Sequence, residues 1–285
     1  MKISAFTFIR NGQILGYPFV ESIKSLLPIV DEYVIALGPC EDDTEVMINR
    51  IGDEKIRIIH TTWNENMQDR GYVYAQQKMI AQFNTSGDWA FYLEADEVVH
   101  EDDLPKIRGA LEKHLKNNAV EALYFDFIHF YGNKNTYLDS PGWYRRETRI
   151  IRNSIRSYAV DGLFWYVLEK NRVGRYPRAA SSGSRIFHYG WVRSEEQMSL
   201  KSEKVNRYWN KTPDTICYAD IDPEAIREFK GTHPAAVQGW LPPADGVFRV
   251  NPDYIPTGKD KKRRAVRYLE GLLGRDLSKR HFTTT

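Results

Sequence analysis

Cysteine is scarce. There are two in 285 residues, Cys40 and Cys217, far apart in the chain. Two distant thiols make neither a disulfide framework nor a cysteine-based zinc site, and they fit a reducing, cytoplasmic compartment. A charge excess of one sign is also missing. The 40 Lys and Arg against 38 Asp and Glu leave a formal net charge of +2, which excludes a nucleic-acid binder on bulk charge. No apolar run approaches the roughly 18 residues of a membrane-spanning helix. The opening "MKISAFTFIRN" lacks a long apolar core and a small-residue cleavage site, so it reads as a strand and not a leader.

Aromatic residues are plentiful at 13%, with 7 Trp and 17 Tyr. Such rings serve sugar and nucleotide clefts, and cores equally well. The 42% hydrophobic and 27% charged residues are those of a globular protein, long enough for one large α/β domain or two small ones.

Strand and helix patterns alternate through the first half. Strands are expected at 3–9 ("ISAFTFI"), 32–38, 55–61 and 89–95 ("WAFYLEA"). Between them, Phe19, Val20, Ile23, Leu26, Leu27 and Val30 recur at helical spacing, "TEVMINRIG" forms a short helix, and Tyr72, Ala75, Met79, Ile80 and Phe83 mark a third. This order predicts an α/β fold with a mostly parallel sheet covered by helices. Ligands of such sheets bind beyond the carboxyl ends of the strands. The acids Glu94, Asp96 and Glu97 fall at one of those ends. If the strand persisted, Glu94 and Asp96 would share a face, a pair suited to a hard divalent ion carrying phosphates. The acids that follow, Glu101 to Asp103, read as a helix start. Further strands are expected at 120–132, late in 142–154 and at 184–194, and a helix at 195–209.

Taken in order, "ISAFTFIRNGQ", "DEYVIALGPCEDDT" and "GDWAFYLEADEVV" resemble the family-two glycosyltransferases of GT-A fold, with "RETRIIRN" and "FHYGWVRS" matching later segments. The resemblance runs from about residue 1 to 210. It implies a GT-A nucleotide-diphospho-sugar transferase domain over 1–211, with a donor half at about 1–105 and an acceptor half at about 106–211. A Pro/Gly-rich extension with a basic C-terminal helix would occupy 212–285.

The resemblance also implies roles. Glu94 would meet the ribose, Asp96 and His188 would bind Mn²⁺ or Mg²⁺, and Glu97 would lie by the donor sugar. Phe8, Arg10, Gly38, Asp42, Arg70, Lys78, Arg193 and Lys201 would complete the donor site, although Gly38 stands where the family commonly has an Asp that reads the base. A carboxylate base is expected between the metal motif and His188. Asp161 in "AVDGLFWYV" is the first choice, with a turn residue as its structural alternative, and Glu169 is the second. Trp143, Tyr144, Trp165 and Trp191 are acceptor-side rings on this reading. Partners would be a nucleotide-diphosphate sugar and a glycan or lipid-linked acceptor, as in bacterial surface polysaccharide or glycolipid synthesis. A decayed glycan-binding scaffold and a sugar-nucleotide nucleotidyltransferase are the alternatives; the second usually carries a Gly-rich, Arg-Lys signature that "FIRNGQILG" lacks.

In the basic C-terminal stretch, Val266, Leu269, Leu272 and Leu273 share a helical face. Contact with an anionic membrane surface, docking on the body and self-association are the readings open to it.

Overall fold

The computed structural model describes residues 1–243 and 248–285. The first half alternates as the pattern predicts: β1 (Ile3–Ile9), α1 (Phe19–Leu26), β2 (Glu32–Leu37), α2 (Thr44–Asn49), β3 (Ile56–His60), α3 (Tyr72–Phe83) and β4 (Trp89–Tyr92). Next come β5 (Glu97–Val99), α4 (Leu104–His114), β6 (Ala122–Tyr131), β7 (Asn133–Leu138) and β8 (Arg146–Arg152). A small antiparallel sheet follows, of β9 (Ser157–Ala159), β10 (Trp165–Leu168) and β11 (Gly174–Arg175). The chain ends with β12 (Arg178–Trp191), α5 (Glu195–Asn206), β13 (Ile226–Glu228), α6 (Gly258–Leu273) and β14 (Thr283–Thr284). The Pro/Gly-rich stretch of 231–246 is largely extended or turn, and its residues 244–246 lie outside the described residues.

The main sheet runs β13-β7-β6-β8-β4-β1-β2-β3. Its half formed by β3-β2-β1-β4 is wholly parallel, so the carboxyl ends of all four strands meet at one edge. Alternation along β1 sorts its side chains. Ile3, Ala5 and Ile9 join Phe19, Ile23 and Leu26 of α1 on one face, and Phe6 joins Ala81 of α3 on the other. With both faces covered, the strands read as nearly continuous apolar runs. Beyond β4 the sheet turns antiparallel through β8, which pairs with both β4 and β6. Long β12 then runs parallel to β6 and antiparallel to β5. The extension contributes strands to this sheet, since β13 pairs with β7 and β14 with β12.

The boundary at the acids moves, as do the start of the strand expected at 184–194, now Arg178, and the end of the helix expected at 195–209, now Asn206. The fourth strand ends at Tyr92 and not Ala95, because the Glu97 amide turns back onto the Glu94 carbonyl at 3.0 Å. Pleat alternation therefore does not govern Glu94 and Asp96; a tight turn places them. Among the described residues no helix is long and apolar enough to cross a membrane.

Candidate active site

A cleft of about 350 Å³ opens at the carboxyl edge of the parallel strands, a size ordinary for small-ligand sites. Phe8 and Arg10 reach it from the end of β1, Glu94 and Asp96 from the turn after β4, Asp161 from the loop before β10, and Lys201 from α5. Its walls are aromatic: Tyr17, Trp63, Tyr74, Tyr92 and Trp209. A second chamber of about 370 Å³ shares Arg10, Trp63 and Tyr74 with the first and is lined further by Glu65, Lys204 and Arg207.

The acids after β4 divide sharply. Glu97 is fully buried, and fully buried Arg149 holds it from both sides, Nε donating to Oε2 at 2.7 Å and Nη2 to Oε1 at 2.6 Å. This corrects the donor-sugar role expected of Glu97, because both its oxygens are spent on the guanidinium and it does not reach the cleft. Arg149 comes from β8. The pairing of Phe91 with Ile150 puts it beside the end of β4, where Nη2 also donates to Glu94 Oε1 at 3.2 Å. Burial, and then the Glu97 charge, raise the Glu94 pKa, while Arg149 opposes them. Glu94 keeps a partly exposed side chain on the cleft wall.

Asp96 is compensated differently. Lys201 Nζ lies 3.2 Å and Arg193 Nη2 3.4 Å from Oδ2, and His188 Nε2 lies 3.6 Å from Oδ1. Burial alone would raise its pKa, but Lys201, His188 and Arg193 outweigh it and hold the carboxyl well below the usual range. Arg193 is itself fixed, donating to the Gly16 carbonyl at 2.7 Å and stacking 4.3 Å from the centre of the Tyr17 ring.

His188 sits in β12 between Glu97 of β5 and His129 of β6. His129 Nε2 lies 2.8 Å from the Tyr144 carbonyl, which only accepts, so this nitrogen carries the proton. Burial, then His188, hold the His129 pKa down at about 3, so its ring is neutral and Nδ1 is an acceptor. The 2.9 Å contact between the two Nδ1 atoms then requires His188 Nδ1–H to donate. With Nδ1–H spent on His129, Nε2 is the His188 nitrogen that faces Asp96, an arrangement that fits a cation shared between them. Gly190 makes room for it: a Cβ there would lie 2.5 Å from His188 Nε2 and 3.2 Å from Asp96 Oδ2. Among the described residues no group of three His, Cys, Asp or Glu side chains forms a self-sufficient cage. Two protein ligands suit an ion that takes the rest of its shell from water and substrate phosphate.

Other expected residues stand around the cleft without lining it. A Cβ on Gly38 would lie 2.5 Å from Trp63 Nε1, so Gly38 serves the site by letting the Trp63 ring close against the backbone. That leaves no room for the Asp expected of the family, and Trp63 Nε1 is buried with no hydrogen-bond partner. Lys78 is fully buried behind the cleft and not on a solvated face. Its Nζ lies 4.0 and 3.8 Å from the Tyr92 and Trp165 ring centres and donates to the Gly162 and Leu163 carbonyls. Burial, then Arg149, lower its pKa to about 7. Trp143, Tyr144 and Trp191 gather beside His129, with Trp143 edge-on to Trp191 at 5.6 Å.

Besides Glu97, four expected residues do not come to the site. Trp165 is a core residue that donates to Gln82 Oε1 at 2.8 Å, with no face free for an acceptor. Asp42 accepts from the Ile14 and Thr44 amides and ties two loops together. Arg70 precedes α3 in a left-handed turn and projects into solvent. Glu169 lies in the β10–β11 hairpin, paired with Arg175. Asp161 Oδ1 accepts from the Leu163 amide at 2.8 Å, closing a turn, and Asp161 is among the residues that line the cleft.

The description of Glycosyl transferase family 2 matches residues 17–170, just over half of the chain. The chain belongs to this family. Glu94, Asp96, Arg149 and Asp161 of this family-two glycosyltransferase fall inside the matched stretch; His188, Arg193 and Lys201 fall beyond it. Its fold is of the GT-A kind. No curated protein matches the sequence. Among solved structures it is similar to glucosyl-3-phosphoglycerate synthase from Mycobacterium tuberculosis, crystallised with Mn²⁺, uridine diphosphate and phosphoglyceric acid, at 19% identity and a TM-score of 0.32. That likeness covers 44% of this chain and 43% of the other. S. aureus TarS is similar at 16% identity and a TM-score of 0.39, over 72% of this chain and 40% of TarS.

Proposed function

We propose that this glycosyltransferase moves a sugar from a nucleotide-diphosphate donor to a hydroxyl of a glycan or lipid-linked acceptor. The reading rests on an aromatic-walled cleft lined by Asp96 and Lys201, with His188 and Arg193 packed against Asp96. Phe8, Trp63 and Tyr74 form a platform on which a base can stack. Arg10, fixed by the Pro39 carbonyl, the Tyr208 hydroxyl and an ion pair with Glu65, brings a guanidinium to the same chamber. Glu94, held by Arg149 on the cleft wall, would accept from a ribose hydroxyl. Asp96 and His188 would hold Mn²⁺ or Mg²⁺, which supplies positive charge to the diphosphate when bound; the imidazole leans the choice toward Mn²⁺.

In an inverting transfer the bond from sugar C1 to the phosphate oxygen breaks as the acceptor oxygen bonds to C1. Asp161 takes the acceptor proton, its Oδ1 held by the turn so that the carboxylate faces the cleft. Lys201 faces the negative charge that builds on the departing diphosphate, and Arg193, buried behind Asp96, adds to the positive field there. Trp143, Tyr144 and Trp191 form the nearest wall for an acceptor sugar. Bacterial surface polysaccharide or glycolipid synthesis is the setting this chemistry suits.

The test is transfer or slow donor hydrolysis across a panel of uridine, guanosine and thymidine diphosphate sugars with Mn²⁺. One donor should be turned over, and Asp96→Asn and Asp161→Asn should each abolish turnover. Turnover undiminished in Asp96→Asn overturns the assignment.

A further inference from the structure

α6 is amphipathic with its faces reversed. The side turned to the body is the charged one. Arg264 pairs with Asp222 and Glu224, both at 2.6 Å, Arg267 with Asp139 at 2.7 Å, and Glu270 with Arg145 at 2.8 Å. Outward stand Tyr268, Leu269, Leu272 and Leu273, which are 69, 46, 65 and 59% exposed. A reciprocal Thr257–Asp260 capping box starts the helix, so it is well formed to its first turn. A surface helix normally buries its apolar stripe and solvates its charges; ion pairs hold this one the other way round.

We propose that this outward face docks on an anionic membrane surface. The argument is charge. Lys261 and Lys262 lie four and three residues before Ala265, Ala265 three and four before Tyr268 and Leu269, and these four and three before Leu272, one stripe along the exposed side. Lys259, Lys261 and Lys262 are exposed with no carboxylate partner among the described residues. Both acids of the helix are taken inward, Asp260 by the capping box and Glu270 by Arg145. The result is leucines and a tyrosine beside lysines, with no acid on the same face, which is the composition that binds anionic headgroups while sinking apolar side chains among acyl chains. A second copy fits poorly. A two-fold contact would bring the lysine clusters of both copies onto one small patch. Four side chains also offer a few hundred Å² at most, against roughly 1,200 Å² for a stable interface.

The helix also covers the acceptor-side loop, since Asp139 and Arg145 bracket Trp143 and Tyr144. Docking by α6 would bring that side of the protein to the bilayer. The docking itself does not depend on the catalytic reading.

The experiment is co-sedimentation of the full chain with phosphatidylcholine vesicles, with and without phosphatidylglycerol, at low and high salt. Binding is expected only with phosphatidylglycerol and should weaken as salt rises. Leu272→Gln/Leu273→Gln, at exposed positions that leave folding intact by circular dichroism, should weaken it about tenfold or more. Lys261→Gln/Lys262→Gln should do likewise, at roughly fivefold per lysine. Equal binding to neutral vesicles, or no binding to either, overturns the proposal. So does concentration-dependent self-association in light scattering that the leucine pair abolishes, since a second copy would then own the face.

Discussion

Arg149 and Glu97 form a doubly hydrogen-bonded ion pair with neither side chain exposed to solvent. The pair supports the turn that carries Glu94 and Asp96 into the cleft, because Glu97 Oε2 also accepts the Glu94 amide at 3.1 Å. Removing one partner strands a buried charge. Arg149→Met should therefore destabilise the fold by about 3–5 kcal/mol, whereas Arg149→Met/Glu97→Met should recover most of that loss. Denaturant unfolding of the three proteins checks it. A double variant no more stable than the single would show that the arginine does more than balance Glu97.

Gly190 is a spacing residue. The methyl of Gly190→Ala would sit on His188 Nε2 and crowd Asp96. Mn²⁺ affinity, measured with nucleotide present, should fall roughly 10–100-fold, the range for disturbing a ligand's surroundings. Metal-free nucleotide binding should stay unchanged. Equal losses with and without metal would point to a general distortion of β12.

Lys78 makes stability depend on pH. Its folded pKa, about 7, lies below the ordinary 10.5. Between those values the unfolded chain holds a proton that the folded chain has released, so this group's contribution is present above pH 10.5 and is lost as pH falls through 7. Lys78→Met deletes the contribution. Its melting temperature relative to the parent should rise as pH falls from 10 to 6. Transfer should also slow, because the tether to the Gly162 and Leu163 carbonyls beside Asp161 is gone. A constant difference in melting temperature across that range would contradict the buried-lysine account.

On the proposed reading, Trp63 stands in for base recognition where Gly38 replaces the Asp expected of the family. Trp63→Ala should weaken nucleotide binding by about 1–3 kcal/mol, the range for one stacked base. Gly38→Ala, by pushing the ring outward, should mimic it in part. Titration of nucleotide against intrinsic fluorescence reads both, and unaltered affinity in Trp63→Ala would remove the ring from the donor site.

The parallel half of the fold was legible because β1 to β4 and their helices are built from local periodicity, and the position of the acids followed from strand order. The partners of those acids were not. Arg149 lies some fifty residues from Glu97 in the chain and meets it only through β8 pairing with β4. The sequence around it, "RETRIIR", carries four charged residues in seven, so nothing there singles Arg149 out. His188 was visible as a motif, but its tautomer depends on His129, reached only through the register of β6 and β12. Trp165 and Glu169 misled because aromatic and acidic residues look alike in sequence whether they line a cleft, fill a core or tip a hairpin. Gly38 looked like a lost side chain, and its reason, the ring of Trp63, comes from another loop.

The central claim is that Asp96 and His188 gather a divalent ion and a nucleotide diphosphate at this cleft. Calorimetric titration of uridine, guanosine and thymidine diphosphates into the parent protein, with and without Mn²⁺, and into Asp96→Asn tests it most directly. The account predicts one preferred nucleotide whose affinity Mn²⁺ raises at least tenfold in the parent and not in Asp96→Asn. Nucleotide binding that is absent, or that Mn²⁺ strengthens equally in both proteins, would contradict it.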